Sequence, residues 1–525
     1  MANLAQRKMT VRDATLALMR EFGMTTIFGN PGSTELPLFR DFPDDFRYVL
    51  GLQESVAMGM ADGFAQATRN AAFVNLHASA GVGHSLGNLF TAYRNYTPLV
   101  VTAGQQARSI LPYEPFLYSQ QAVDFPKPFV KWSIEPTRAQ DVPAAIARAY
   151  YIAMQRPRGP VFVSIPVDDW DQECEPLAAR KLGTEIRGDA DVIAAVADAL
   201  SSAKHPAIVV GAGVARDAAW SEVIALAEQH EAPVWVAPMS ARNSFPENHR
   251  LFAGFLSAGR EAIVSAMDGS DVIVVLGGPM SLYHTEGFGP HVPDGAQLFQ
   301  LVDDPSMASW TPTGMATVTN LKSGITEVIA RSRPPKRAAR PPRAAAPVLD
   351  GSAFTDSYLL QQIARVRRDG AIIVEEAPSS RGPMHDYLPI LEEDGFYTCS
   401  SGGLGHGLPA SIGVALGRPG EKVIAVLGDG SAMYAIQGLW TAAQLDLPIS
   451  FVIINNKRYE ALIGFGRHFG MQETVGTKLP DIGFCDLARG QGLEAMRVER
   501  PEDLDQALAA SFDNPRPNLV EVVVE

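Results

Sequence analysis

The segment from Gly428 to Asn456 reads GDGSAMYAIQGLWTAAQLDLPISFVIINN. It opens with an aspartate between two glycines and closes on two asparagines, with 24 residues between Gly430 and Asn455. A carboxylate and an amide carbonyl are hard oxygen ligands. They suit Mg²⁺, which keeps its remaining positions for water and substrate phosphates. Gly428, Gly430 and Ser431 let backbone N–H groups approach an anion, and the helix that follows offers it an N-terminus. GDG alone is a common turn, and so is NN. Together at strand ends they predict a Mg²⁺–diphosphate site on Asp429 and Asn456.

Other residues could move protons. Histidine titrates near working pH, and the chain has 10. His77 ends the apolar run AAFVNLH, and His284 follows DVIVVLGGPMSLY. Glu54 lies in YVLGLQESVAMGMADGFAQAT, where a strand pattern gives way to a helix pattern. Alone, such a glutamate is dipole-matched to its helix start. Ser33 follows a strand and a glycine turn in GNPGSTELP, where it could cap the next helix.

Those residues need a frame. At 525 residues the chain exceeds one hydrophobic core. A sharp break falls at RSRPPKRAARPPRAAAPVLD, a proline- and arginine-rich stretch that reads as an extended linker, and a softer one near Asp168–Asp191. We expect a first domain over 1–180, a middle domain over 190–330, the linker over 331–350 and a third domain over 351–525. Each block alternates β-branched apolar runs with helical patterns. The runs include TTIFGNPG, PLVVTAG, HPAIVVGAG, DVIVVLGGP, KVIAVLGDG and PISFVIINN. Runs of that kind predict parallel strands buried on both faces. The fold class is α/β, with three doubly wound parallel-sheet domains whose ligands gather at the strands' carboxyl ends.

Composition narrows the classes. A net charge of −14 disfavours nucleic acid and anionic membranes as partners. Cys174, Cys399 and Cys485 lie far apart, which argues against a disulfide scaffold or zinc ribbon and predicts a cytoplasmic setting. The N-terminal stretch MANLAQRKMTVRDATLALMREFGM reads as an amphipathic helix rather than a signal peptide, with Thr10 and Asp13 at capping-box spacing. No stretch is long and apolar enough to span a membrane.

The GDG–NN spacing resembles the motif of the thiamine-diphosphate-dependent decarboxylase family. The three-block layout resembles that family's pyrimidine-binding, middle and diphosphate-binding domains. The resemblance implies thiamine diphosphate and Mg²⁺ as cofactors, with Asp429, Asn456 and the Arg458 carbonyl on the metal. It implies that Glu54 protonates the aminopyrimidine ring, so that a thiazolium carbanion forms and then acts as an electron sink. In CSSGGLGHGLPASIG it places the Gly402 backbone against that ring and Leu404 as a wedge beneath the bent cofactor. In EEAPSS it offers Ser379 and Ser380 to diphosphate oxygens. His77 and His284 match the family's active-site histidines, and Ser33 matches the serine that meets the substrate carboxylate.

Within the family the pieces FGNPGSTELP, NLHASAG, VTAGQQAR, GGLGHGLPA and NNKRYEALIGF resemble those of benzoylformate-decarboxylating members. That resemblance implies loss of CO₂ from an aromatic 2-oxo acid through an enamine, giving the aldehyde. Phe116, Leu117, Ala461, Leu462 and Phe465 then align with an apolar substrate pocket. Pro378 and Thr398 depart from the pattern, where a small hydroxyl residue and an aromatic are expected. Another 2-oxo acid decarboxylase, or an acetohydroxyacid-synthase-like carboligase with a flavin, is the alternative. Its sequence support is GAGVAR, whose Arg216 breaks the nucleotide fingerprint. A binding protein on the same scaffold would not need the proton-transfer set. The family builds its site where two chains meet, so a homodimer or homotetramer is expected, with a small 2-oxo acid as the other partner.

Overall fold

The computed structural model describes residues 8–525. Its chain forms two compact units. One joins residues 8–183, 401–499 and 510–523; the other joins 184–400, 500–509 and 524–525.

The first unit opens with α1 (Val11–Glu21), capped by Thr10, whose hydroxyl accepts the Asp13 N–H at 3.1 Å. The first seven residues of the predicted N-terminal helix lie outside the described residues. The strands β1 (Thr26–Gly29), β2 (Arg47–Leu50), β3 (Ala72–Leu76), β4 (Leu99–Gln105), β5 (Ser133–Ile134) and β6 (Val161–Pro166) make a parallel sheet. Their order is β2-β1-β3-β4-β6-β5. Helix α2 (Glu54–Thr68) follows β2, and α3 (Ala78–Arg94) follows β3. Every residue of β3, β4 and β6 is buried, as central parallel strands covered on both faces require.

The same unit holds α4 (Gly407–Gly417) and the strands β7 (Val423–Gly428), β8 (Ile449–Asn455), β9 (Glu494–Val498) and β10 (Asn518–Val523). They pair in parallel as β7-β8-β10-β9. Between β7 and β8 the chain makes a short helix at Asp429–Met433 and a second at Gly438–Gln444. The second starts at Gly438, where a Cβ would come 2.6 Å from Leu408 Cδ2 and would push that side chain aside.

α2 and α4 cross very closely. A Cβ on Gly63 would lie 2.1 Å from the Ala410 carbonyl, and one on Gly413 would lie 1.9 Å from that of Met60. This contact encloses a buried ion pair of Asp62 with His406, and Asn95 Nδ2 donates to Asp62 Oδ2 at 2.9 Å.

The second unit contains a six-stranded parallel sheet centred on Pro206–Val210 and Val272–Leu276, and a parallel pair of Ile372–Glu376 with Phe396–Tyr397. Residues 332–350 form no helix or strand. Arg331, assigned to the linker from sequence, instead ends the helix Leu321–Arg331. Within the stretch, Arg337 donates to the carbonyls of Leu200, Ala203 and His230. Among the described residues no helix is long and apolar enough to cross a membrane.

Candidate active site and metal centre

Parallel pairing of β7 with β8 puts Gly428 opposite Ile454, so Asp429 and the two asparagines leave the sheet on one edge. Asn455 is committed to the fold: Nδ2 donates to the buried Glu521 at 2.7 Å and Oδ1 accepts the Lys457 N–H. Lys457 sits at φ 59°, which turns the chain and leaves Asn456 facing out of the sheet edge. Asn456 Oδ1 accepts the Arg458 N–H at 3.2 Å.

Asp429 is almost wholly buried. Its Oδ1 accepts the Gly430 N–H at 2.7 Å, while Oδ2 has no partner among the described residues. Burial pushes its carboxyl above the ordinary carboxylate range; the N–H of Gly430, and more weakly those of Lys457 and Arg458, pull the other way. A buried oxygen with no donor beside an amide carbonyl is what a hard divalent cation would satisfy, so the residues present fit Mg²⁺. Gly430 is needed for a second reason: a Cβ there would come 2.2 Å from Tyr459 Cε1. A cavity of about 520 Å³ opens beside Asn456, Lys457 and Arg458. The charges of Arg458 and Glu460 pair at 2.6 Å rather than facing it singly.

Glu54 is the first residue of α2, and Gln53 Oε1 caps that helix through the N–H groups of Ser55 and Val56. The Glu54 side chain is 11% exposed. Its Oε1 takes a long contact of 3.5 Å from Asn30 Nδ2, and its Oε2 lies 3.1 Å from His84 Nδ1. His77 stands at the N-cap of α3, against Glu35 and Thr34 at 2.9 and 3.2 Å. Its ring fills the space a side chain on Gly32 would need, 2.1 Å from that Cβ. Burial, then the Glu35 and Glu54 carboxylates, hold the Tyr48 hydroxyl well above the usual phenol range, so it stays protonated.

Ser33 is exposed and does not cap the turn at Leu36–Phe39; Glu35 occupies that position. Gly402 is exposed at φ 73°, and Leu404 is half-buried rather than part of the core. Asn88 Nδ2 donates to the Gly405 carbonyl and Ser401 Oγ meets Thr91 Oγ1, which fixes this segment to α3. Ser431 is buried in the helix after GDG. Phe116 is 87% exposed, Leu117 has φ 64°, and Ala461 and Phe465 share one face of α5 (Glu460–His468), with Leu462 half exposed beside them.

The remaining predicted residues belong to the second unit. Pro378 and Ser379 are exposed past the end of the strand Ile372–Glu376, and Ser380 is buried at the N-cap of Arg381–Tyr387. Thr398 is buried, and its hydroxyl is spent. It donates to Glu375 Oε2 at 2.7 Å and accepts from Arg381, which also pairs with Glu375. His284 is exposed, and its backbone N–H donates to the Ala258 carbonyl. The glycines of GAGVAR serve packing: a Cβ on Gly211 would lie 2.5 Å from Gly278 Cα, and Arg216 pairs with Asp303 at 2.9 Å.

Sequence reasoning passed over Glu35, Thr34, His84 and the Glu375–Arg381 pair. Glu35 lies inside GNPGSTELP, where it reads as a first-turn acid; nothing in its neighbours' types reveals that it reaches His77.

Comparison with known proteins agrees with this geometry. Residues 9–125, 193–328 and 379–522 match the N-terminal TPP binding, central and C-terminal TPP binding domains of thiamine pyrophosphate enzymes. A benzoylformate decarboxylase of Pseudomonas aeruginosa is 40% identical over 522 residues, 98% of each chain. The crystal structure of benzoylformate decarboxylase from Polynucleobacter necessarius superposes with a TM-score of 0.96 at 37% identity, covering 98% of both chains. A thiamine diphosphate-dependent 4-hydroxybenzoylformate decarboxylase of Rhodococcus jostii RHA1 gives 0.95 at 39%, covering 98% of this chain and 99% of its own. Acetolactate synthase large subunits match at lower identity, 24% and 27% in two cases. Three parallel-sheet α/β domains, a GDG–NN edge with a partnerless buried carboxylate, and end-to-end identity to decarboxylases together establish that the chain belongs to the thiamine pyrophosphate enzyme family, as a decarboxylase-type carboxy-lyase.

Proposed function

We propose that the protein decarboxylates an aromatic 2-oxo acid of the benzoylformate type, without oxidation, to the aldehyde and CO₂. Thiamine diphosphate and Mg²⁺ are its cofactors, and a dimer or tetramer is its working form in the cytoplasm. The observation that carries the reading is the end-to-end identity with benzoylformate decarboxylases on a chain that also holds Glu54, His77, Asp429 and Asn456. Bound thiamine diphosphate supplies a carbon nucleophile and an electron sink.

The chain's own residues do the rest. Asp429, Asn456 and the Arg458 carbonyl would hold Mg²⁺, with the backbone around Gly428, Gly430 and Ser431 available to the diphosphate. Glu54 presents a carboxyl group whose proton can be lent to a ring nitrogen. His77, backed by the buried Glu35, moves protons at the reacting oxygens, and Ser33 and His284 are the further polar groups for the substrate. Phe116, Leu117, Ala461, Leu462 and Phe465 offer apolar surface for an aryl ring. The flavin alternative is the weaker reading, because Arg216 stands where the GAGVAR fingerprint needs its third glycine.

A coupled aldehyde assay with benzoylformate, 4-hydroxybenzoylformate, pyruvate and phenylpyruvate tests this, with thiamine diphosphate and Mg²⁺ present or omitted. Cofactor-dependent turnover favouring the two benzoylformates is expected. Turnover of pyruvate alone would refute the aryl pocket. A hydroxyketone as the main product would make the protein a carboligase. Light scattering that finds a monomer would refute the assembly.

A further inference from the structure

His77 is the N-cap of helix α3, and Gly81 and His84 follow on the helix three residues apart, which puts those two on one face. Glu54 crosses that face at Gly81. A Cβ there would come 3.3 Å from Glu54 Cγ and 3.5 Å from Oε1, so glycine leaves the carboxylate room to lie against the helix. The crossing puts Glu54 Oε2 3.1 Å from His84 Nδ1. The two imidazoles each have their own carboxylate: Glu35 at His77 and Glu54 at His84. The two pairs differ in access. Glu35 is 1% exposed, whereas the His84 side chain is 63% exposed in the single chain.

An acid that has lent its proton to a cofactor ring is left as a buried carboxylate, which a neighbouring group can stabilise or reprotonate. Glu54 is mostly buried, and the polar groups around it are few: Asn30 cannot titrate, and Tyr48 keeps its proton. Glu35 and His77 are engaged with each other. His84 is the one titratable side chain hydrogen-bonded to Glu54 among the described residues.

We propose that His84 is a positioning residue for Glu54 and its proton partner. It holds Oε2 in place. When Glu54 has given its proton away, the Nδ1 proton of the imidazolium passes to Oε2, leaving a neutral imidazole that regains a proton from water. When Glu54 must become a carboxylate again, the proton returns by the same path. The proposal rests on the reading of Glu54 as the acid that activates thiamine diphosphate.

The test uses the full-length protein and the variants His84→Asn, His84→Gln and His84→Ala. Calorimetric titration of the apoprotein with thiamine diphosphate and Mg²⁺, in buffers of low and high ionisation enthalpy, counts the protons taken up on binding. The count is expected to change in His84→Asn by on the order of half a proton near neutral pH, with cofactor affinity within about threefold. Turnover should fall roughly tenfold to a hundredfold at near-constant KM, the pH–rate profile should move, and added imidazole should partly restore His84→Ala. An unchanged proton count and profile, with turnover within about twofold, would overturn the role of His84 alone. A parent protein that binds no thiamine diphosphate would overturn the functional reading itself, and the His84 proposal with it.

Discussion

Nδ1 of His77 lies 2.9 Å from Oε2 of Glu35, and that carboxylate has no spare capacity. The same oxygen accepts the Gly32 N–H, while Oε1 accepts the Gly104 N–H and the Thr34 hydroxyl. Donors on three segments thus converge on one buried acid, which fixes the ring and leaves Nε2 as the working nitrogen. The arrangement predicts a division of labour: His77 moves the proton and Glu35 decides where the ring points.

Replacing Glu35 with Gln keeps the shape but puts an amide where His77, Gly32, Gly104 and Thr34 need acceptors. We expect turnover to fall by about one to two orders of magnitude, with KM and cofactor affinity little changed. Glu35→Ala should also destabilise the apoprotein by roughly 1–3 kcal/mol, because buried N–H groups lose their partner. Steady-state kinetics and thermal unfolding check the two parts. A Glu35→Gln enzyme that keeps full turnover would show that His77 needs no anchor.

Asp429 makes a prediction of opposite signs. In the apoprotein its carboxylate is buried with Oδ2 partnerless, so Asp429→Asn should raise apoprotein stability by about 1 kcal/mol. With Mg²⁺ and thiamine diphosphate present, the same change should weaken cofactor binding by on the order of a hundredfold or more. Melting curves with and without cofactor read both arms. Equal shifts in the two conditions would remove Asp429 from the metal.

The buried pair of Asp62 and His406 links α2, which starts at Glu54, to α4, which follows Gly402 and Leu404. Burial works against the charged Asp62, but the His406 charge and the hydrogen bonds from His406 and Asn95 outweigh it and hold its carboxyl below the usual range. Asp62→Ala leaves His406 without its counter-charge and should destabilise the protein by about 3–5 kcal/mol. Cofactor affinity should drop as well, since both ends of the proposed cofactor contact lose their common support. Amide exchange in α2 and α4 would locate the loss. Protection unchanged in both helices would contradict it.

How far the sequence carried is visible in these residues. The strand runs named most of the central strands, because continuous β-branched stretches have few other uses, but missed Gln297–Val302, a central strand whose apolar run is broken by Gln300. It passed over the edge strands Ser133–Ile134, Phe396–Tyr397 and Glu494–Val498, which are short or half-exposed and lack that pattern. Asp429 and Asn456 were legible through spacing along the chain. Glu35, His84 and the Asp62–His406 pair were not, because each contact spans 30 to 344 residues or depends on a glycine that lets a neighbour close in. Thr398 was placed in the pocket through the family resemblance, as a departure from an expected aromatic; the bonds to Glu375 and Arg381 that occupy its hydroxyl appear only in three dimensions.

The middle domain carries its own acid sensitivity. His230 is fully buried, with Nε2 2.9 Å from Ser332 Oγ. Burial, and then the nearby Arg337 guanidinium, push its imidazole from 6.5 down to about 4. A histidine held neutral in the fold contributes its full stability above pH 6.5, where neither state is protonated. As pH falls from 6.5 toward 4, the unfolded chain binds a proton that the folded chain refuses. Stability should therefore drop by up to about 1.4 kcal/mol per pH unit, roughly 3 kcal/mol across the interval. Below pH 4 both states are protonated and this contribution stops changing. His230→Gln removes the titration while leaving an amide for Ser332, so its unfolding midpoint should vary less between pH 6.5 and 4 than the parent's, whatever its absolute level. Denaturant unfolding of both proteins at half-unit pH steps measures the difference in slope. Parallel curves would mean that His230 takes up its proton without leaving the fold, and that Arg337 does not hold it neutral.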